Sequence, residues 1–141
     1  MNAKKIFQGI GLLLAVLLGA RLVAVLIWPT INDVKTGETP QYPDLQPQHF
    51  NHPSARVFDA ALATAQALGW AVTAQDRNQG EIHAVATTSV FRFNDDVTIT
   101  ISHEGEGAVV NVRSHSRVGK GDFGTNARRI RRFQAELAKR V

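Results

Sequence analysis

Apolar positions along the chain fall into three regimes, and each regime predicts a different element. From Ile6 to Trp28 they are almost continuous: 23 residues whose strongly polar members are Gln8 and Arg21. At about 1.5 Å per residue this run makes about 34 Å of helix, enough for a hydrocarbon core of roughly 30 Å. Arg21 opposes insertion by about 2.5 to 3.5 kcal/mol, while each Leu, Ile, Val or Phe favours it by roughly 0.3 to 0.6 kcal/mol. Fourteen such residues lie in the run, so insertion wins. Arg21 also lies towards the far end, from which its side chain can snorkel to the headgroups. A transmembrane anchor is expected over 6–28.

Lys4 and Lys5 precede the run, within a short N-terminal segment 1–5, and the other flank mixes Asp33, Lys35 and Glu38. This asymmetry keeps the N-terminus cytoplasmic and exports the rest. The expectation is a single-pass inner-membrane protein with a periplasmic C-terminal domain. The rival is a cleaved signal peptide on a soluble periplasmic protein, with Leu18-Gly19-Ala20 as the cleavage site. Leu18 is a poor small residue there, and the mature chain would begin with the apolar stretch after Arg21. Gly11, Ala15 and Gly19 place small side chains on one stripe of the anchor, a pattern that permits transmembrane-helix self-association.

The second regime, 29–53, has sparse apolar positions and all five prolines, Pro29, Pro40, Pro43, Pro47 and Pro53. It is expected as an extended tether. Tyr42, Leu45 and Phe50 are the residues that would pin it to a folded domain. His49 and His52 are read as loop residues, because nothing nearby would orient them as ligands.

In the third regime, 54–141, periodicities alternate. Val57, Phe58, Ala61, Leu62, Ala65 and Leu68 draw one helical face after Ser54, a candidate N-cap, with Gly69 as the stop. Trp70, Val72 and Ala74 then alternate, as do Ile82, Ala84 and Ala86, then Val97, Ile99 and Ile101, then Val110 and Val112. Short connections such as Glu104-Gly105-Glu106-Gly107 imply an antiparallel meander. A last helix starts near Thr125, with Ile130, Phe133, Leu137 and Val141 on its apolar stripe. The fold class is therefore α+β: a two-layer domain in which a four-stranded antiparallel meander is flanked by two helices. Regular phasing would bury Asp95 beside Val97, so a turn or bulge at Asn94-Asp95 is expected in its place.

Composition adds limits. With 141 residues the chain holds one modest domain beside the anchor, and with no Cys it has no disulfide or thiolate chemistry. The net charge of +4 is uneven: residues 125–141 alone carry +5, with Arg128, Arg129, Arg131, Arg132, Lys139 and Arg140 against Glu136. On an exported domain such a helix suits anionic lipid headgroups better than nucleic acid, although an amphipathic helix with a basic solvent face is the simpler reading.

Gly119-Lys120-Gly121-Asp122-Phe123-Gly124 fits a dinucleotide pattern between a strand and a helix, but the parallel strand and acidic residue of that motif are missing. The glycines are read first as turn formers; the alternative is an anion-binding module, with Gly119, Gly121 and Gly124 at a helix N-terminus beside Arg128 and Arg129. Ser114 and His115 point to opposite faces of a strand and cannot act as nucleophile and base. Arg92, Asp96, Arg113, His115 and Arg117 form a polar cluster on the open sheet face, which His83 shares. No cofactor or metal site is expected. An envelope enzyme working through Asp95, Asp96, Arg113 and His115 is the alternative to a binding module.

The stretches Asn32-Asp33-Val34, Tyr42-Pro43-Asp44-Leu45 and Phe91-Arg92-Phe93-Asn94-Asp95-Asp96-Val97 carry a family resemblance. So do Val112 to Gly119, Asp122, Gly124 and Asn126-Ala127-Arg128-Arg129-Ile130. Over nearly all of 32–141 the chain resembles the uncharacterised domain-of-unknown-function family 1499. The resemblance implies exported or membrane-tethered, mostly bacterial proteins, with no established activity, cofactor or catalytic residue. The expected function is a non-enzymatic module that binds an envelope component, either a membrane protein or anionic lipid through Gly119, Gly121, Gly124, Arg128, Arg129, Arg131 and Arg132.

Overall fold

The continuous apolar run forms α1 (Ala3–Ile27) in a computed structural model that describes residues 3–141, the side chains of Ala3 and Val25 excepted. Met1 and Asn2, which open the expected segment 1–5, lie outside the described residues. The helix is long and apolar enough to be a membrane anchor or a signal sequence, and none of Lys4–Ala24 is buried against the rest of the chain. It stops one residue before the expected bound, with the Trp28 amide still donating to the Ala24 carbonyl at 2.9 Å.

Next come β1 (Asp33–Lys35), β2 (Gln48–Phe50), α2 (Ser54–Ala67), β3 (Ala71–Asp76), β4 (Glu81–Thr87), β5 (Asn94–Glu104), β6 (Gly107–Ser116) and α3 (Thr125–Ala138). The α+β class is as expected, but the antiparallel sheet has six strands where four were expected. Its order is β1-β6-β5-β4-β3, and β2 also pairs with β6. The two additional strands come from the segment expected as a tether. They share the outer edge of β6, β1 opposite Arg113–His115 and β2 opposite Ala108–Val110. An uncovered edge would leave a row of β6 peptide groups unpaired, and backbone pairing satisfies them whatever the side chains. Between the two strands, the Thr36 amide donates to the Val112 carbonyl and the Val112 amide to the Thr36 hydroxyl, each at 3.0 Å.

Alternation along β4, β5 and β6 turns Ile82, Val97, Ile99, Ile101, Val110 and Val112 to one face, where all are buried. Both later helices lie on that face. Val57, Phe58, Ala61 and Ala65 of α2 and Ile130, Phe133 and Leu137 of α3 complete the core. Burial of each large side chain contributes roughly 1.5 to 3 kcal/mol, and Trp70 stacks on Phe133 at 5.5 Å. Tyr42 and Leu45 are buried in the same core, while Asp44 takes a two-pronged bond from Arg131 at 2.7 and 3.0 Å.

The stop of α2 is as read. Gly69 has φ 77°, and the Gly69 and Trp70 amides return to the Gln66 and Ala65 carbonyls, closing the turn in a Schellman arrangement. The start differs. Ser54 makes no cap bond; Pro53 holds the N-cap position, and the Ser54 hydroxyl lies 3.1 Å from a His103 ring nitrogen.

Candidate functional site

The expected turn at Asn94-Asp95 is absent, and this correction defines the site. β5 runs regularly from Asn94, so Asp95 shares the inner face with Val97 and is 2% exposed. The turn lies earlier, where the Thr88 amide donates to the Phe93 carbonyl at 2.8 Å and Arg92 adopts φ 57°. Arg129 compensates the buried carboxylate at 2.7 Å. Its other terminal nitrogen donates to the Ser114 hydroxyl at 2.9 Å and to Asn126 Oδ1 at 2.7 Å. Asn126 in turn donates to the Ser116 hydroxyl at 2.8 Å and to the Asn32 carbonyl at 3.1 Å. A buried ion pair holds when its remaining donors and acceptors are satisfied in this way.

Above this polar floor lies an open groove of about 740 Å³, between the first half of α3, the 88–93 loop, the turn from α2 to β3 and the loop after β6. Asp95, Ser116 and Arg129 are at its base, with Trp70 on one wall. Its lip is apolar: Val90, Phe91, Phe93, Val118 and Phe123 are 78, 73, 45, 57 and 55% exposed. Among the described residues outside α1, these five are all of the exposed large hydrophobic side chains. Phe91 and Phe93 stack at 5.6 Å, so the 88–93 tip is a preformed aromatic surface. Arg128 and Arg132, one helical turn apart on α3, also line the groove. Neither they nor Arg92 and Lys120, on the two lip loops, form an ion pair among the described residues.

The glycine loop does not offer the alternative anion site. The Asp122 carboxylate already occupies the α3 N-terminus, accepting from the Gly124 amide at 2.8 Å and the Asn126 amide at 2.9 Å. A second anion there would meet a carboxylate. The glycines instead receive the chain leaving α1. Gly124 has φ 74°, and a Cβ on it would lie 2.6 Å from Trp28 Cδ1; one on Gly121 would meet Thr30 at 3.5 Å. Asp122 donates its amide to the Ile31 carbonyl at 3.0 Å, and Asn32 Nδ2 donates to the Gly119 carbonyl at 2.6 Å. The expected arginine set is dispersed. Arg129 is held by Asp95 at the base of the groove and Arg131 by Asp44, which leaves Arg128 and Arg132 at the groove without a carboxylate partner among the described residues.

The open sheet face carries the expected polar cluster, but as separate pairs. Arg117 clasps Asp96 at 3.0 and 2.6 Å, and Arg113 clasps Asp33 at 2.9 and 2.5 Å. Hydrogen bonds from these guanidinium groups hold the Asp33 and Asp96 carboxyls below the ordinary carboxylate range, against the opposing effect of burial. His115 sits opposite Asp96 in the register, Arg92 lies apart in the 88–93 loop, and His83 is across β5 beside Thr98. Asp95 is on the other face of the sheet, so the four groups of the enzyme alternative do not converge. Lys35, Glu38 and Thr39 complete a shallow polar depression beside Asp33 and Arg113. Among the described residues no three His, Asp or Glu side chains cluster as metal ligands.

The lip residues were missed in the sequence because apolar residues in turns have no period to mark them. Their signal is Val90-Phe91 and Phe93 at the tip of a hairpin, where polar residues are the norm.

A family model described as "Protein of unknown function (DUF1499)" matches residues 26–137. No curated protein matches the chain. Among solved structures, TTHA0849 from Thermus thermophilus is 14% identical, with a TM-score of 0.41 over 77% of this chain and 95% of that one. CalU16 from Micromonospora echinospora is 13% identical, with a TM-score of 0.30 over 65% and 83%. Ara h 8.0201 is 9% identical, with a TM-score of 0.33 over 76% and 95%.

Proposed function

The chain belongs to the DUF1499 family of proteins of unknown function, and we propose that it is a membrane-anchored, non-enzymatic binding module of the bacterial envelope whose ligand is an anionic lipid. In this reading α1 is an uncleaved inner-membrane anchor, the N-terminus is cytoplasmic and the α+β domain is periplasmic. The ligand's apolar chain lies in the groove, and its headgroup meets Arg128 and Arg132.

The observation that carries the reading is the groove itself. About 740 Å³ is within the range of small-molecule sites. Gathering of the exposed apolar side chains at its lip, beside two guanidinium groups that have no carboxylate partner among the described residues, matches an amphiphile with a negative head. Support for a non-enzymatic role is the split of Asp95 from Asp96, Arg113 and His115, together with the engagement of Asp95, Asp96 and Arg113 in structural ion pairs.

The test uses residues 29–141, whose lone tryptophan, Trp70, lines the groove. Titration with lysophosphatidylglycerol below its micelle concentration is expected to change Trp70 emission saturably. Lysophosphatidylcholine binds more weakly, and the Arg128→Gln/Arg132→Gln variant loses about tenfold in affinity for the anionic lipid, or about 1.4 kcal/mol. Equal affinity for both lipids, or an unchanged variant, would refute the assignment. In flotation with vesicles, the same fragment is expected to rise with phosphatidylglycerol and to remain behind with phosphatidylcholine.

A further inference from the structure

We propose that the apolar lip of the groove is a membrane-docking face, lying in the surface of the bilayer that α1 crosses, so that the groove opens directly onto lipid. The proposal rests on the reading of α1 as an anchor and specifies how the groove of the proposed module would be filled.

Three independent observations converge on this face. First, Val90, Phe91, Phe93, Val118 and Phe123 come from two loops far apart in sequence yet form one exposed patch. A contiguous apolar patch on a soluble surface costs solubility unless something covers it. Second, the patch is continuous with the end of α1. Trp28, the residue after the helix, meets Phe123 edge to face at 6.5 Å, and the Arg128 guanidinium lies 6.0 Å from the Trp28 ring. A tryptophan at the end of a membrane helix marks the headgroup level, where its apolar ring and polar N–H are both accommodated. The bonds from Ile31 and Asn32 to the glycine loop then hold the lip at that level, with no slack in between.

Third, charge favours lipid over a second copy of this chain. Arg92, Lys120, Arg128 and Arg132 stand on the lip or beside it, and the acidic residue of the same loops, Asp122, is turned inward onto the α3 N-terminus. A two-fold dimer through this face would set like charges against each other. An anionic leaflet gains from each of them at short range.

The experiment uses the full-length protein in vesicles of phosphatidylglycerol and phosphatidylethanolamine. Because the chain has no native Cys, single spin labels can be placed by Val90→Cys, Phe91→Cys and Val118→Cys, with Thr100→Cys and Glu106→Cys as controls away from the lip. None of the five side chains belongs to the core cluster, and circular dichroism of each variant checks the fold. The three lip labels are expected to collide with oxygen far more often than with a water-soluble nickel chelate, with a ratio several-fold above that of the two controls. Ratios equal to the controls overturn the proposal. So does protection accompanied by dipolar broadening that vanishes on dilution with unlabelled protein, because that signals a second copy. Immersed lip labels without saturable lysophosphatidylglycerol binding sustain the docking face while the groove assignment fails. Water-exposed lip labels with such binding sink the docking face alone.

Discussion

Removal of Asp95 isolates the buried pair beneath the groove. In Asp95→Ala, Arg129 keeps its bonds to Ser114 and Asn126 but loses its counter-charge, with only 9% of its side chain exposed. An uncompensated buried charge costs about 3 to 5 kcal/mol, a fifth or more of the roughly 5 to 15 kcal/mol that holds a domain folded. Residues 29–141 suit the measurement, because every residue of the core cluster lies within 34–137 and Trp70, stacked on Phe133, reports the fold. With a urea slope of about 1.5 kcal/mol per M, the unfolding midpoint should fall by roughly 2 to 3 M. Arg129→Ala should behave alike. The double variant should cost less than the two singles together, since neither leaves an orphan charge in it. Asp95→Leu with Arg129→Met should regain much of the loss. A single Asp95→Ala variant within about 0.5 kcal/mol of the parent, or strict additivity in the double, would refute the argument.

Three further outcomes follow from the geometry. Gly124→Ala combines a left-handed backbone, costing about 1 to 2 kcal/mol, with a clash against Trp28; the full-length chain should lose stability and shift its Trp28 emission, whereas Gly105→Ala should lose the backbone increment alone. Asp33 and Asp96 titrate below their unfolded values, so the stability they add is complete above about pH 4 and is lost as pH falls through their lowered values. Arg113→Gln with Arg117→Gln should therefore flatten the acid limb of a urea-midpoint profile, by an amount in keeping with exposed pairs worth about 0 to 1 kcal/mol each. Ser54→Ala should change stability by less than about 0.5 kcal/mol, because its hydroxyl caps no amide; a loss near 1 kcal/mol would restore it as an N-cap.

The meander and both flanking helices were legible because their periods are strong and their faces simple. Val97, Ile99 and Ile101 on one face leave little choice of register. β1 and β2 were illegible because three residues such as Asp33-Val34-Lys35 carry no period and pair through backbone alone. Asp95 is more instructive. Phasing places it on the inner face, but the cost of a lone buried carboxylate argues against that placement. What removes that cost is Arg129, one strand and one loop further along the chain, and partnership over such a distance has no local signal. For the glycine loop the signal was present within the motif. Asp122, two residues before Gly124, is of the type that bonds a backbone amide two residues on, which assigns the helix N-terminus to the protein itself.

The lacing of Trp28 to Asn32 onto the glycine loop changes what kind of search the domain can make. A flexible linker of 25 residues would let a domain roam about 25 to 30 Å from its anchor point. Here the first backbone bond to the domain is made at Ile31, four residues after α1 ends. With α1 in the bilayer, the domain is carried at fixed height and meets its targets by drifting sideways in two dimensions. Molecules that share or touch the membrane plane are encountered repeatedly, while those held at a distance from it are out of range.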